Sequence, residues 1–295
     1  GDHIYHMEYS RMGEFHKSRG ADLTIAMMRV PLDQAHHFGM GITSENDQII
    51  EWEEKPKRAR STLASMGVYV FNTDFLYDCL SKILEHDFGK NIIPHAIAHH
   101  RVYAYHFNGY WRDVGTLHAY WDANMDILRP ESGLDLSVWQ TYTNLEEEGR
   151  SGDRPPTRIS RSAKVENSFI SQGCVIDGSV TNSILSPGVV VEKGARVEHS
   201  VLLHDCVVKE NAQLSYVIAD KLSHFGRGSN VGNGDRAKPN RKNPDHLKEG
   251  LTVIGKSALV PNDCIVGSNC IIHPKVTETS YAGKDVSDGQ TIELK

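Results

Sequence analysis

Apolar and polar positions follow two different rhythms along these 295 residues. From Ala21 to about Arg129 the pattern alternates between strand and helix. "ADLTIAMMRV" (21–30) is an apolar run of strand length, and "QIIEWEE" (48–54) changes side with period two. "ASMGVYVFN" (64–72) is β-rich and ends on a turn-prone Asn. The following "TDFLYDCLSKILEHD" predicts a helix capped by Thr73 or Asp74. Its apolar face would hold Phe75, Leu76, Cys79, Leu80, Ile83 and Leu84. "GKNIIPHAIAHH" (89–100) starts another helix, "RVYAYHF" (101–107) another strand, and "TLHAYWDANMDILR" (116–129) is an amphipathic helix. Strands alternating with helices predict a layered α/β domain over residues 1–130.

Residues 131–160 change character. "PESGLDLSV" and "EEEGRSGDRPPTRIS" are rich in Pro, Gly, Ser and charge, which marks a connector, with "SVWQTYT" packing locally. A short period then governs residues 161–295. Apolar residues fall at Ile170, Ile176, Leu185, Val191, Val197 and Leu203, mostly six apart. Four positions beyond each stands a small or β-branched residue: Cys174, Val180, Val189, Ala195, Val201 and Val207. After a one-residue slip the pattern runs through Val208/Ala212 and Leu214/Ile218, and it returns from Ile254/Ala258 to Ile272/Val276. Helices do not repeat every six residues. The period predicts a parallel β-helix, in which three short strands make one triangular coil and each coil buries its face against its neighbours. "HFGRGSNVGNGDRAKPNRKNPDHLKEG" (224–250) reads as an insertion that breaks the repeat. Its GxGxxxG glycines follow no strand-to-helix turn, so they are loop residues rather than a phosphate loop.

Composition narrows the function classes. A hydrophobic share of 39% and a charged share of 24% suit a soluble globular protein, and no apolar run has the length of a membrane span. A net charge of −6 leaves no basic surplus for a nucleic-acid partner. The five cysteines (Cys79, Cys174, Cys206, Cys264, Cys270) show no CxxC spacing, and four lie in the repeat. They read as buried free thiols in a reducing cytoplasm.

Two aspartates carry the candidate chemistry. Asp2 follows a glycine in "GDH", and Asp113 stands in "YWRDVGT". Two carboxylates brought together repel unless a cation lies between them, and hard oxygen ligands favour magnesium and hence a polyphosphate substrate. Turn-capping aspartates are the alternative at this point. In "EWEEKPKR", Pro56 fixes the backbone after Lys55, so that Lys55 either meets a phosphate in a cleft or sits in a solvated charged turn. "SMG" at Ser65 and "DFG" at Asp87 offer polar groups beside glycines. Adjacent histidine pairs (His36–His37, His99–His100) point to opposite sides and do not share a metal, while His3 stands next to Asp2.

Taken together, "GDHIYHMEYSRM", "FGMGITSENDQIIEWEEKP", "ASMGVYVFNTDFLYDCL", "HDFGKNIIP" and "YWRDVGTLHAYWDANMDIL" closely resemble the bacterial glucose-1-phosphate adenylyltransferases. The resemblance is colinear over almost the whole chain. It implies a Rossmann-like α/β nucleotidyltransferase domain, N-terminally incomplete, followed by a left-handed parallel β-helix. It also implies ADP-glucose formation from ATP and glucose 1-phosphate for glycogen or starch synthesis, a homotetramer, and regulation by small-molecule effectors. Asp2 and Asp113 would hold Mg2+. Glu54 and Lys55 would contact the sugar and its phosphate, Gly39 and Ser65 would add contacts, and Asp87 and Trp111 would line the sugar pocket. The family's glycine-rich GGxGxRL loop is not matched, so the chain reads as a fragment expected to be inactive alone. Rival readings are another sugar nucleotidyltransferase, a non-catalytic assembly subunit, and a hexapeptide acyltransferase using His199, His204 or His224.

Overall fold

The structure is a computed structural model, and it describes residues 2–85, 87–139 and 153–294. The chain divides into two compact units, one of residues 5–111 and one of residues 1–4 with 112–295. The elements are β1 (His3–Tyr5), α1 (Tyr9–Ser18), β2 (Leu23–Arg29), β3 (Gly39–Thr43), β4 (Ile49–Glu54) and β5 (Leu63–Phe71). Then come α2 (Thr73–Lys82), α3 (Ile93–His99), β6 (Val102–His106), β7 (Trp111–Asp113) and α4 (Leu117–Asp126).

The unit of residues 5–111 is an α/β layer structure on a five-stranded sheet of order β4-β3-β5-β2-β6. β2 runs parallel to β6 and antiparallel to β5, and β3 is antiparallel to β4 and β5. Because β2 is covered on both faces, its sequence is a continuous apolar run instead of an alternation. Leu23, Ile25 and Met27 face the cluster that holds Ile93 and Ala96 of α3, with Phe75 of α2 beside it. Ala26 faces the other way, against Met12 of α1 and Met66.

Two details of α2 depart from the expected helix. It is preceded by Asn72, not capped by Thr73 or Asp74, and no side chain caps it. The Asn72 amide is engaged elsewhere: Nδ2 donates to the Ala21 carbonyl at 3.0 Å, and Oδ1 meets His16 Nε2 at 3.2 Å. The helix stops at Lys82, and Ile83 is already extended (φ −95°, ψ 116°). The apolar stripe is therefore shorter than its letters suggest. Cys79 is buried, whereas Leu84 is 89% exposed and Leu80 is 42% exposed. Helix α1 was not legible from periodicity, since its buried face is Met12 and a histidine. His16 is held there by Thr24 Oγ1 at 2.8 Å.

In the second unit, strands from Arg158–Ile159 to Thr291–Ile292 stack in parallel into three sheets of six, six and seven strands. This is the coil geometry the hexapeptide period requires. One continuous core runs through it, from Cys174, Ile176 and Leu185 to Ile272 and Val276. Corners carry residues in the left-handed region, among them Asn167, Asn182, His199 and Tyr216. At a neighbouring position a serine ladder climbs the coils. Ser168 Oγ accepts from the Ser183 N–H, Ser183 Oγ from Ser200 and Ser200 Oγ from Val217, at 3.0–3.2 Å. The ladder gives each buried backbone N–H a partner where the chain turns.

Two expectations about the repeat are corrected. The core step from Val197 reaches Leu202 and Cys206, not Leu203 and Val207, because this corner is one residue short; Leu203 is only partly buried, in a different cluster. Nor does the repeat break at His224. Phe225 and Val231 are fully buried in the solenoid core, and the strands His224–Phe225 and Asn230–Val231 continue their sheets. Gly228 and Gly232, which resembled loop residues in sequence, have positive φ next to these strands. The true insertion follows Val231 and is pinned by Asn240 and Asn269, both fully buried and hydrogen-bonded to backbone.

Helix α4 packs on this solenoid. Trp121 and Met125 cluster with Val201, Ile218, Leu247 and Leu251, and the Trp121 indole donates to the His199 carbonyl at 2.8 Å. Thr116 caps the helix by accepting from the Ala119 N–H at 3.1 Å. Leu136–Trp139 adds a single helical turn, and the rest of "SVWQTYT" lies outside the described residues. No helix among the described residues is long and apolar enough to cross a membrane.

Candidate functional site

Within residues 5–111, the sheet brings most of the expected sugar-phosphate residues together. Glu54 ends β4, and its carboxylate lies against two glycines. A Cβ at Gly89 would overlap the carboxylate itself, and one at Gly39 would meet both the Trp52 ring and Glu54. Only glycine leaves the carboxylate its place, which is the physical reason for the glycines of "FGM" and "DFG". Burial pushes the Glu54 carboxyl above the usual glutamate range. Lys55 counters this, Asp87 adds to it, and the Trp52 indole and Lys90 pull it back.

Ser65 and Tyr69 come from β5. Opposite β2 the register slips between Ile25 and Met27, and Gly67 has φ 70°, so a bulge re-aims this strand. Ser65 is buried, and its Oγ accepts from the Gly67 N–H at 3.1 Å. Burial raises the Tyr69 phenol, the neighbouring Ser65 hydroxyl pulls it back, and the charges of Glu54 and Asp87 raise it. Asp87 caps the turn Phe88–Ile92 by accepting from the Lys90 N–H at 2.9 Å. Phe88 stacks on Tyr69 with ring centres 5.5 Å apart. Tyr69, Phe88, Trp52 and Lys90 were thus missed from sequence. Period-two alternation from Ser65 was the available signal for Tyr69.

Lys55 is exposed, with φ 46°, and its N–H donates to the Phe38 carbonyl at 3.1 Å. A left-handed lysine before proline is an uncommon conformation, and such strained positions concentrate at ligand clamps. Trp111 packs edge-on against Phe38, with ring centres 5.2 Å apart.

The two aspartates belong to the other unit, where they are close in the backbone. β1 and β7 form a two-stranded ribbon, and the Val114 N–H donates to the Asp2 carbonyl at 3.0 Å. Asp113 Oδ1 accepts from the Gly115 N–H at 3.1 Å and lies 3.6 Å from His3 Nε2. Asp2 is exposed and Asp113 half-buried. Two hard carboxylates, one just before β1 and one at the end of β7, suit a divalent ion that keeps water and phosphate oxygens as its other ligands. Among the described residues no group of three or more His, Cys, Asp or Glu is arranged to hold a metal. The histidines do other work: His100 packs on Phe75, and His199 stacks flat on Tyr216 at 4.8 Å. All five cysteines are free and buried, and burial pushes Cys206 up to about 12 and Cys264 to about 11.

Comparison with known proteins agrees with both halves. A family described as "Nucleotidyl transferase" matches residues 1–130, and one described as "GlmU-like, C-terminal hexapeptide" matches residues 155–254. A glucose-1-phosphate adenylyltransferase of Acetivibrio thermocellus is 40% identical, over 99% of this chain and 69% of its own length. That of Thermomicrobium roseum is 40% identical over 99% and 69%, and that of Fervidobacterium nodosum 40% over 92% and 66%.

Proposed function

We propose for this chain, which belongs to the glucose-1-phosphate adenylyltransferase family, an adenylyl transfer in which each mapped residue has a defined part. A phosphate oxygen of glucose 1-phosphate attacks the α-phosphorus of ATP, the bond to the β-phosphate oxygen breaks, and pyrophosphate leaves with the bonding pair. The product is ADP-glucose. Little covalent work falls to the protein, so positioning and electrostatics carry the catalysis.

Lys55 meets the sugar phosphate as a point charge. Glu54, Ser65, Tyr69 and Asp87 take the sugar hydroxyls, with close approach at Gly39 and Gly89, while Phe88 and Trp111 supply apolar wall. Asp2 and Asp113 hold Mg2+, which when bound offsets charge on the phosphate oxygens. In this reading residues 1–130 do the chemistry, 131–160 connect, and 161–295 form an assembly surface for a homotetramer regulated by small metabolites in the cytoplasm. The observation that carries it is the ribbon joining Asp2 to Val114, which sets the two aspartates side by side in the backbone.

The test is pyrophosphate release by the purified chain with magnesium, glucose 1-phosphate and each of ATP, GTP, UTP and dTTP. Release with ATP alone, reduced at least about 100-fold by Asp113→Asn, would support the reading and overturn the expectation that the chain is inactive alone. Silence with every nucleotide from a folded chain would uphold that expectation and move the test of the reading to a longer protein that carries the glycine-rich loop. Equal release with UTP, or undiminished release by the variant, would refute the reading.

A further inference from the structure

We propose that Arg112 is a positioning residue for Asp113: its guanidinium fastens the strand that carries the aspartate to helix α4. This deepens the metal-site reading above and rests on it. Successive residues of a strand point to opposite sides, so Arg112 leaves on the face away from Trp111 and Asp113. Whatever Arg112 grips therefore sets the rotation of β7 about its own axis, and with it the direction of Asp113.

Its grip is double. Arg112 Nη1 donates to Asp122 Oδ2 at 2.6 Å, and Nη2 donates to Asp126 Oδ2 at 2.6 Å. The side chain of Asp126 is only 4% exposed. A carboxylate so buried requires a fixed cationic partner, and a planar guanidinium holds two carboxylates in a rigid fork, which the rotatable donors of an ammonium do not. Arg129 meets the remaining oxygens, Asp122 Oδ1 at 3.2 Å and Asp126 Oδ1 at 3.3 Å. Two arginines and two aspartates thus join in one network.

The ribbon needs such an anchor. β1 and β7 have three residues each, and a two-stranded ribbon of that length is not stable by itself. Helix α4 is a firm support, because Trp121 and Met125 seat it on the solenoid. Rigidity passes from the solenoid coils through α4 and Arg112 to the Asp113 strand, all within one compact unit.

The experiment compares the unaltered chain with Arg112→Gln, Arg112→Lys, Arg129→Gln and Asp113→Asn. Two readouts are taken: amide hydrogen exchange at Val114, whose N–H bonds to the Asp2 carbonyl, and Mn2+ affinity by electron paramagnetic resonance. Arg112→Gln is expected to speed Val114 exchange and to weaken Mn2+ about tenfold, the usual size for a residue that orients a metal ligand. Arg112→Lys should fall between, and it answers the question if Arg112→Gln does not fold. Arg129→Gln should lower the melting temperature and leave both readouts unchanged. The proposal is overturned if Arg112→Gln leaves Val114 exchange unaltered, or if Arg129→Gln shifts the readouts as far. Should Asp113→Asn bind Mn2+ like the unaltered chain, the metal reading fails instead, and Val114 exchange still decides what Arg112 holds.

Discussion

Glu54 keeps its place because Gly39 and Gly89 carry no side chain. A methyl group at either position overlaps something that must then move: the carboxylate at Gly89, and the stiff Trp52 ring together with the carboxylate at Gly39. Gly89→Ala is expected to lower kcat/KM for glucose 1-phosphate about 100-fold, the scale of a misplacement of about 1 Å. Its melting temperature should change little, because the turn there is half-exposed and the displaced group is a surface-reaching carboxylate. Steady-state kinetics beside a thermal melt check both halves. The glycine of D-F-G was legible as a place of close approach, and Gly39 entered only through the family resemblance. That both approach one glutamate was not legible, since a 50-residue separation is closed only by the sheet and the turn at Phe88–Ile92.

Among the elements, the edge where β2 meets β6 is tied by Asp22. Its Oδ2 accepts from the Arg101 N–H at 3.0 Å and from Nε at 3.3 Å, and its Oδ1 accepts from Nη2 at 3.2 Å. Burial by itself would push the Asp22 carboxyl up, but the hydrogen bonds and charge of Arg101 outweigh it and hold it below the usual range. A depressed carboxyl stabilises the fold above its ordinary value, near 3.9, and this contribution is lost as pH falls through the depressed one. Asp22→Asn should therefore melt lower than the unaltered chain at pH 7, with the difference closing below about pH 4. A gap that stays constant with pH would contradict the sign. Periodicity predicted β2, β4, β5, β6 and α4 well. It failed at the ends of α2 because capping and termination there depend on Asn72, which His16 and Ala21 engage from elsewhere.

At the scale of the molecule, the solenoid is nearly one-dimensional, each coil stabilised only by the coils next to it. Phe225, among the largest fully buried side chains, sits in an interior coil, whereas Phe169 lies in the first coil and is 50% exposed. Phe225→Ala should cost about 3–5 kcal/mol. Phe169→Ala should cost within about 0.5 kcal/mol, as surface changes do. Denaturant unfolding followed by far-ultraviolet circular dichroism measures both, and equal losses would contradict the nearest-neighbour picture.

Residue order alone specifies the two architectures, because the hexapeptide and strand–helix periods are local consequences of side chains pointing to alternate or recurring faces. It also specifies which residues carry charge beside glycine, and the ordered motifs that place the chain in its family. The folded chain shows what no stretch of letters does: Tyr69 and Phe88 join Glu54, Ser65 and Asp87, and Phe225 and Val231 keep the coil going through glycine-rich text. It alone shows that Arg112 ties Asp113 to a helix seated on the solenoid. Each of these rests on contacts between residues far apart in the chain, and a local pattern holds no information about which distant partner arrives.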